Sequence, residues 1–89
     1  MTFDYRDSDG IVYRETAPLT HTEQLRRGLT AHSGPEGVYL ILGLTKDGWV
    51  PCGPMEGTFN EAIEIVQINA DAASHQFSDF RAEKRLIGI

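Results

Sequence analysis

The sequence predicts an α+β two-layer sandwich, a mostly antiparallel sheet with two helices on one face in the order ββαββαβ. Three observations carry this. Residues 37–53 spell a hairpin: the apolar run Val38-Tyr39-Leu40-Ile41-Leu42, a Lys46-Asp47-Gly48 turn, and the resumption at Trp49-Val50. An Asp-Gly pair favours such a turn because glycine takes positive φ without steric cost. Thr58-Phe59-Asn60-Glu61 is a capping box, in which the Thr hydroxyl and the Glu carboxylate satisfy backbone N–H groups at a helix start. Thr20-His21-Thr22-Glu23 is a second one.

Taken in order, Phe3 and Tyr5 alternate with polar residues, Asp7-Ser8-Asp9-Gly10 is turn-rich and Ile11-Val12-Tyr13 is β-prone, which predicts an N-terminal hairpin ended by Pro18. A first helix is expected from Thr20 to Ser33, stopped by Gly34-Pro35, with Gly28 inside it at a cost of about 1 kcal/mol relative to alanine. The hairpin of residues 37–53 follows, then a second helix over residues 58–73. Residues 80–89, including Leu86 and Ile87, are expected to add a last strand. On a helical wheel the second helix turns Phe59, Ala62, Ile63, Val66, Ala70 and Ala73 to the sheet and Asn60, Glu64, Gln67 and Asp71 to solvent. Ile65, Ile68 and Ala72 form a separate apolar flank, available to the neighbouring helix or to another chain.

All 89 residues fit one domain with a thin core, since a chain of this size buries a modest fraction of its unfolded surface. Apolar residues at 40% and charged residues at 24% disfavour disorder. The start lacks the basic and apolar regions of a signal peptide, and no run approaches membrane-spanning length. A lone cysteine calls for no oxidising compartment, so a cytoplasmic location is expected. The net charge of −5 is uneven: residues 47–79 hold six acids and no Lys or Arg, whereas Arg81, Lys84 and Arg85 cluster near the end. An acidic surface repels phosphate backbones and attracts basic partners, the more strongly at low salt.

Catalytic and metal-binding patterns are weak. Cys52 in Pro51-Cys52-Gly53-Pro54 has acidic surroundings, which raise rather than lower a thiol pKa. His21 and His32, on one helix, would stand about 16 Å apart and cannot share an ion, and His75 has no ligand partner at a recognised spacing. Asp7-Ser8-Asp9-Gly10 looks like the middle of a calcium loop, but Tyr5 and Thr16 occupy its acidic anchor positions. Glu61 and Glu64 are near neighbours on a helix, as any solvated face provides. No cofactor is implied.

The expectation is therefore a small non-enzymatic interaction module that binds a protein, or itself, through an open sheet face or the second-helix surface. The expected contact residues are Tyr39, Ile41 and Trp49 on the sheet and Glu61, Glu64, Ile65, Ile68 and Asp71 on the helix. The acids would steer a basic partner, such as a nucleic-acid-binding protein. The chain would then be an inhibitor or regulator of the kind phages encode, anti-CRISPR proteins included. The alternative is a single-stranded nucleic-acid binder that stacks bases on Tyr39, Trp49 and Tyr13, with Arg81 to Arg85 as its basic segment. The acidic balance argues against it.

Overall fold

The computed structural model of the chain describes residues 1–73 and 76–85, and the side chains of all of these except 53–56. His75, and Leu86 and Ile87 at the end of the expected last strand, lie outside the described residues. Strands β1 (Phe3–Asp7) and β2 (Val12–Glu15) form the N-terminal hairpin, pairing Tyr5 with Tyr13. Its turn is organised by Asp7, whose carboxylate accepts from the backbone N–H of Asp9 at 2.9 Å and of Ile11 at 3.0 Å. This local bonding is what makes Asp a turn residue.

Helix α1 (His21–Arg27) is shorter than the sequence predicts. Thr20 caps it, its hydroxyl accepting from Glu23 N–H at 3.2 Å. Gly28, expected inside the helix, ends it instead: it sits in the left-handed region at φ 68° and donates its N–H back to the last turn. Glycine adopts that conformation without the Cβ penalty and so terminates helices. Leu29–Ser33, expected to be helical, is strand β3, which pairs antiparallel with β1. Thr30, His32 and Ser33 have middling helix propensity, and an unpaired β1 edge offers their backbone groups partners. An alanine at position 28 would meet nothing within 4 Å, so Gly28→Ala isolates the backbone term. It is expected to cost about 1–2 kcal/mol, read as a lower urea midpoint with an unchanged slope.

Strands β4 (Tyr39–Thr45) and β5 (Gly48–Gly57) form the second hairpin, closed at Gly48 with φ 118°. β5 lies at a sheet edge, where its prolines interrupt no ladder on the open side. Helix α2 (Phe59–Ala73) starts with its capping box formed: Glu61 N–H donates to the Thr58 hydroxyl and Thr58 N–H to the Glu61 carboxylate, each at 3.3 Å. Strand β6 (Asp79–Lys84) pairs with the other side of β4.

The result is an α+β arrangement in which the predicted ββαββαβ order holds with β3 added between α1 and β4, and both helices pack against sheets. Among the described residues every strand pairing is antiparallel, in two three-stranded sheets ordered β2-β1-β3 and β5-β4-β6. One core serves both: Phe3 and Tyr5 from β1, Tyr39 and Ile41 from β4, Phe80 and Ala82 from β6, and Phe59, Ala62, Ile63 and Val66 from α2. Phe59 joins the sheets, its ring 5.5 Å from Phe3, 6.0 Å from Tyr5 and 5.0 Å from Tyr39. The backbone spans 36 × 34 × 19 Å, the dimensions of a flattened slab. Among the described residues no helix is long and apolar enough to cross a membrane.

Candidate interaction surfaces

The two sides of the slab differ in chemistry. On the helical side, Glu61, Glu64, Ile68 and Asp71 are all exposed and fall at intervals of three, four and three residues. That spacing lines them up in one stripe about 15 Å long, because residues three and four apart stack on one helix face. Ile68 is 64% exposed in the middle of it, and α2 contains no Lys or Arg. Of the predicted apolar flank only part is available. Ile65 is half-buried and packs on the core, whereas Ile68 and Ala72 face solvent. α1 does not cover this flank. It approaches α2 from the side of Ala70 and Asp71, which share a shallow groove with His21 and Thr22.

On the sheet side, the expected open-face residues Tyr39 and Ile41 are corrected: both are fully buried, at 0% exposure, and cannot touch a partner in the folded chain. Alternation puts residues 39, 41 and 43 on one face of β4, and that face meets α2. Two features select this parity. The Tyr39 hydroxyl finds an internal acceptor, donating to the Pro35 carbonyl at 2.6 Å. Gly43 leaves room for the Phe77 ring, which a Cβ there would approach to 2.5 Å. The other set, Leu40, Leu42 and Leu44, therefore points outward and is half-buried.

Trp49 stands opposite Leu44, and Arg81 stands opposite Leu42 from β6. The Arg81 guanidinium lies over the Trp49 ring, 4.4 Å from its centroid, and donates to the Glu83 carboxylate at 2.7 Å. Among the described residues its buried Nε has no acceptor. Leu40, Leu42 and Leu44 are outward-facing, half-buried residues absent from the expected contact set, which Arg81 entered only through the basic segment of the nucleic-acid alternative. The alternation separated the two sets of β4 side chains, and the contact of Gly43 with Phe77 in the folded chain decides which one turns inward.

The base-stacking platform of the nucleic-acid alternative is reduced to Trp49, whose ring Arg81 already covers on one side. Tyr39 is in the core, and Tyr13 is half-buried with its hydroxyl directed to Asp7 at 3.3 Å and the Arg27 guanidinium 5.9 Å from its ring. Cys52 is half-buried against the core, and burial raises its thiol pKa, the opposite of an activated nucleophile. His21 and His32 belong to different elements, a helix start and β3. His32 is engaged by Asn60 through Nδ1 at 2.9 Å and by the edge of Phe59. Among the described residues no group of three or more His, Cys, Asp and Glu is placed to hold a metal ion. No protein-family model matches the chain, and comparison with curated proteins and with solved structures finds no match.

Proposed function

We propose that this chain is a non-enzymatic protein-interaction module whose α2 surface receives a basic partner. The observation that carries the reading is the exposed stripe of Glu61, Glu64, Ile68 and Asp71. A solvated helix face needs no isoleucine at its centre, and an apolar residue ringed by charge is the arrangement of an interface anchor with a polar rim. The complementary surface is a Lys- and Arg-rich patch with an apolar notch for Ile68. Basic patches of this kind are what nucleic-acid-binding proteins present to phosphates. Occupying one would displace nucleic acid by competition, which makes the chain an inhibitor or regulator of its partner.

The carboxylates act chiefly on association rate, through long-range attraction screened by salt. Glu61 also belongs to the α2 capping box, so charge reversal is best confined to Glu64 and Asp71. Tagged chain recovers the partner from a native lysate treated with nuclease, and the purified pair is then compared at two salt concentrations. Glu64→Lys with Asp71→Lys is expected to slow association about tenfold or more at low salt, with the difference shrinking at high salt. Ile68→Ser is expected to speed dissociation. Unchanged affinity in both variants rejects the α2 surface as the contact.

A further inference from the structure

We infer that the groove between the β2–α1 linker and β6 is a binding site for a small monocarboxylate with an apolar body. The linker, residues 16–20, is tied down at Leu19, whose N–H donates to the Tyr5 phenol at 2.9 Å and whose carbonyl accepts from the buried Gln24 side chain at 3.1 Å. Between it and β6 lies a groove of about 370 Å³. Phe3, Ala17 and Pro18 give the groove its apolar lining, and β6 supplies Arg81, Glu83 and Lys84. That volume falls in the range of small-molecule sites, which are preformed, mostly apolar and marked by a few polar groups. Among the described residues only eight line it, against the roughly 20–30 per side of a standard protein interface.

Lys84 selects the charge of the ligand. Its stem lies across Gly37, where a Cβ would come within 2.6 Å of Cε, so this glycine at φ 147° lets the side chain settle there half-buried. Arg14, Arg26, Arg27 and Arg81 each pair with a carboxylate, whereas Lys84 has no such partner among the described residues. A half-buried ammonium has lost part of its water, and an oxygen anion replaces what the fold removed. The other two charges on the β6 wall cancel, because Arg81 donates to Glu83 at 2.7 Å. The unmatched charge is therefore that of Lys84. An apolar lining beside one unmatched cation is the complement of a carboxylate on a hydrocarbon or aromatic frame. The net charge of −5 limits the ligand to a single negative charge, since repulsion grows with ligand charge and disfavours phosphate esters and polyanions.

Titration of the full chain with octanoate and, separately, with 4-phenylbutyrate tests this at about 0.15 M salt, with amide chemical shifts reading both affinity and location. At least one of the two acids is expected to bind saturably, with a Kd of about 0.1–1 mM and shifts centred on Ala17 and Lys84. Acetate lacks the apolar body and octylammonium reverses the head charge, and each is expected to bind the groove about tenfold more weakly or not at all. Lys84→Gln keeps most of the stem and is expected to weaken the carboxylate about fivefold or more. Ala17→Glu sets a second carboxylate beside that of the ligand and is expected to weaken it likewise. Lys46→Gln removes the same charge at an exposed turn outside the groove and is expected to leave affinity within about twofold. Far-UV circular dichroism checks the fold of each variant. The inference is overturned by the absence of saturable shifts up to about 20 mM of both acids, or by acetate or octylammonium binding the groove as tightly. Equal effects of Lys84→Gln and Lys46→Gln, or undiminished binding in Ala17→Glu, overturn it as well. So do shifts centred on Leu40, Leu42 and Leu44, which would mark the outer sheet face as a general apolar contact.

Discussion

Phe59→Ala is expected to destabilise the fold by about 3–5 kcal/mol, the range for removing a buried phenylalanine. Phe59 is 4% exposed at the first turn of α2, and its ring meets Phe3 and Tyr5 on β1, His32 on β3 and Tyr39 on β4. Three of these neighbours belong to one sheet and the fourth to the other. Truncation therefore removes apolar contact and loosens the junction of the two sheets in one step. The chain backbone closes tightly on the same ring: a Cβ at Gly34 would come within 2.9 Å of it. Close packing of that kind resists collapse around a void, which places the cost toward the upper part of the range.

Domains of this size have about 5–15 kcal/mol in total, so the variant stands near the edge of folding. Urea unfolding followed by circular dichroism measures the loss, with Ile68→Ala as the exposed control expected to stay within about 0.5 kcal/mol of wild type. A loss below about 1 kcal/mol for Phe59→Ala would show that the sheets are held together elsewhere.

The junction at Phe59 also shows which features were legible in the sequence. The capping box at Thr58 and Glu61, the alternation of Phe3 with Tyr5 and the turn at Gly48 are local patterns whose physics is complete within a few residues, and each appears as expected. β3 was hidden because its identity depends on β1: Leu29–Ser33 becomes a strand by completing hydrogen bonds on an edge that lies over twenty residues away. Gly28 carried the local half of that message, as a helix terminator rather than a helix defect. The contact surface was less legible than the fold. Tyr39 and Ile41 alternate with Leu40 and Leu42 in any register, and both sets are apolar, so hydropathy does not choose between them. The choice rests on Gly43 admitting Phe77 and on an acceptor for Tyr39, both tertiary facts. On α2 the wheel's solvent arc, Asn60, Glu64, Gln67 and Asp71, is exposed as expected, whereas the apolar flank divides, with Ile68 and Ala72 exposed and Ile65 turned inward against the core.

Stability is expected to fall steeply above pH 10, and Tyr5 is the main reason. The residue is 1% exposed, and burial pushes its pKa from 10.0 up to about 12, partly offset by the N–H that Leu19 donates to the phenol oxygen at 2.9 Å. Nearby Glu15 and Tyr39 add to the rise. In the unfolded chain Tyr5 releases its proton near pH 10, whereas the folded chain keeps it until about pH 12. Between those values the unfolded state binds fewer protons, so each step up in pH favours unfolding. The contribution is complete below pH 10 and gone above about pH 12, and a shift of this size is worth at most about 2.7 kcal/mol. Burial also raises the Tyr39 pKa, which acts in the same direction.

Tyr5→Phe removes the titrating group and leaves the Leu19 N–H without its acceptor, at a cost of about 1–3 kcal/mol at neutral pH. Urea midpoints at pH 8 and pH 11 for wild type, Tyr5→Phe and Tyr39→Phe separate the terms. Wild type is expected to lose the most between the two pH values, Tyr39→Phe somewhat less, and Tyr5→Phe the least. An equal alkaline loss in wild type and Tyr5→Phe would mean that the phenol ionises in the folded chain as easily as in water, and that the β1 side of the core is open to solvent.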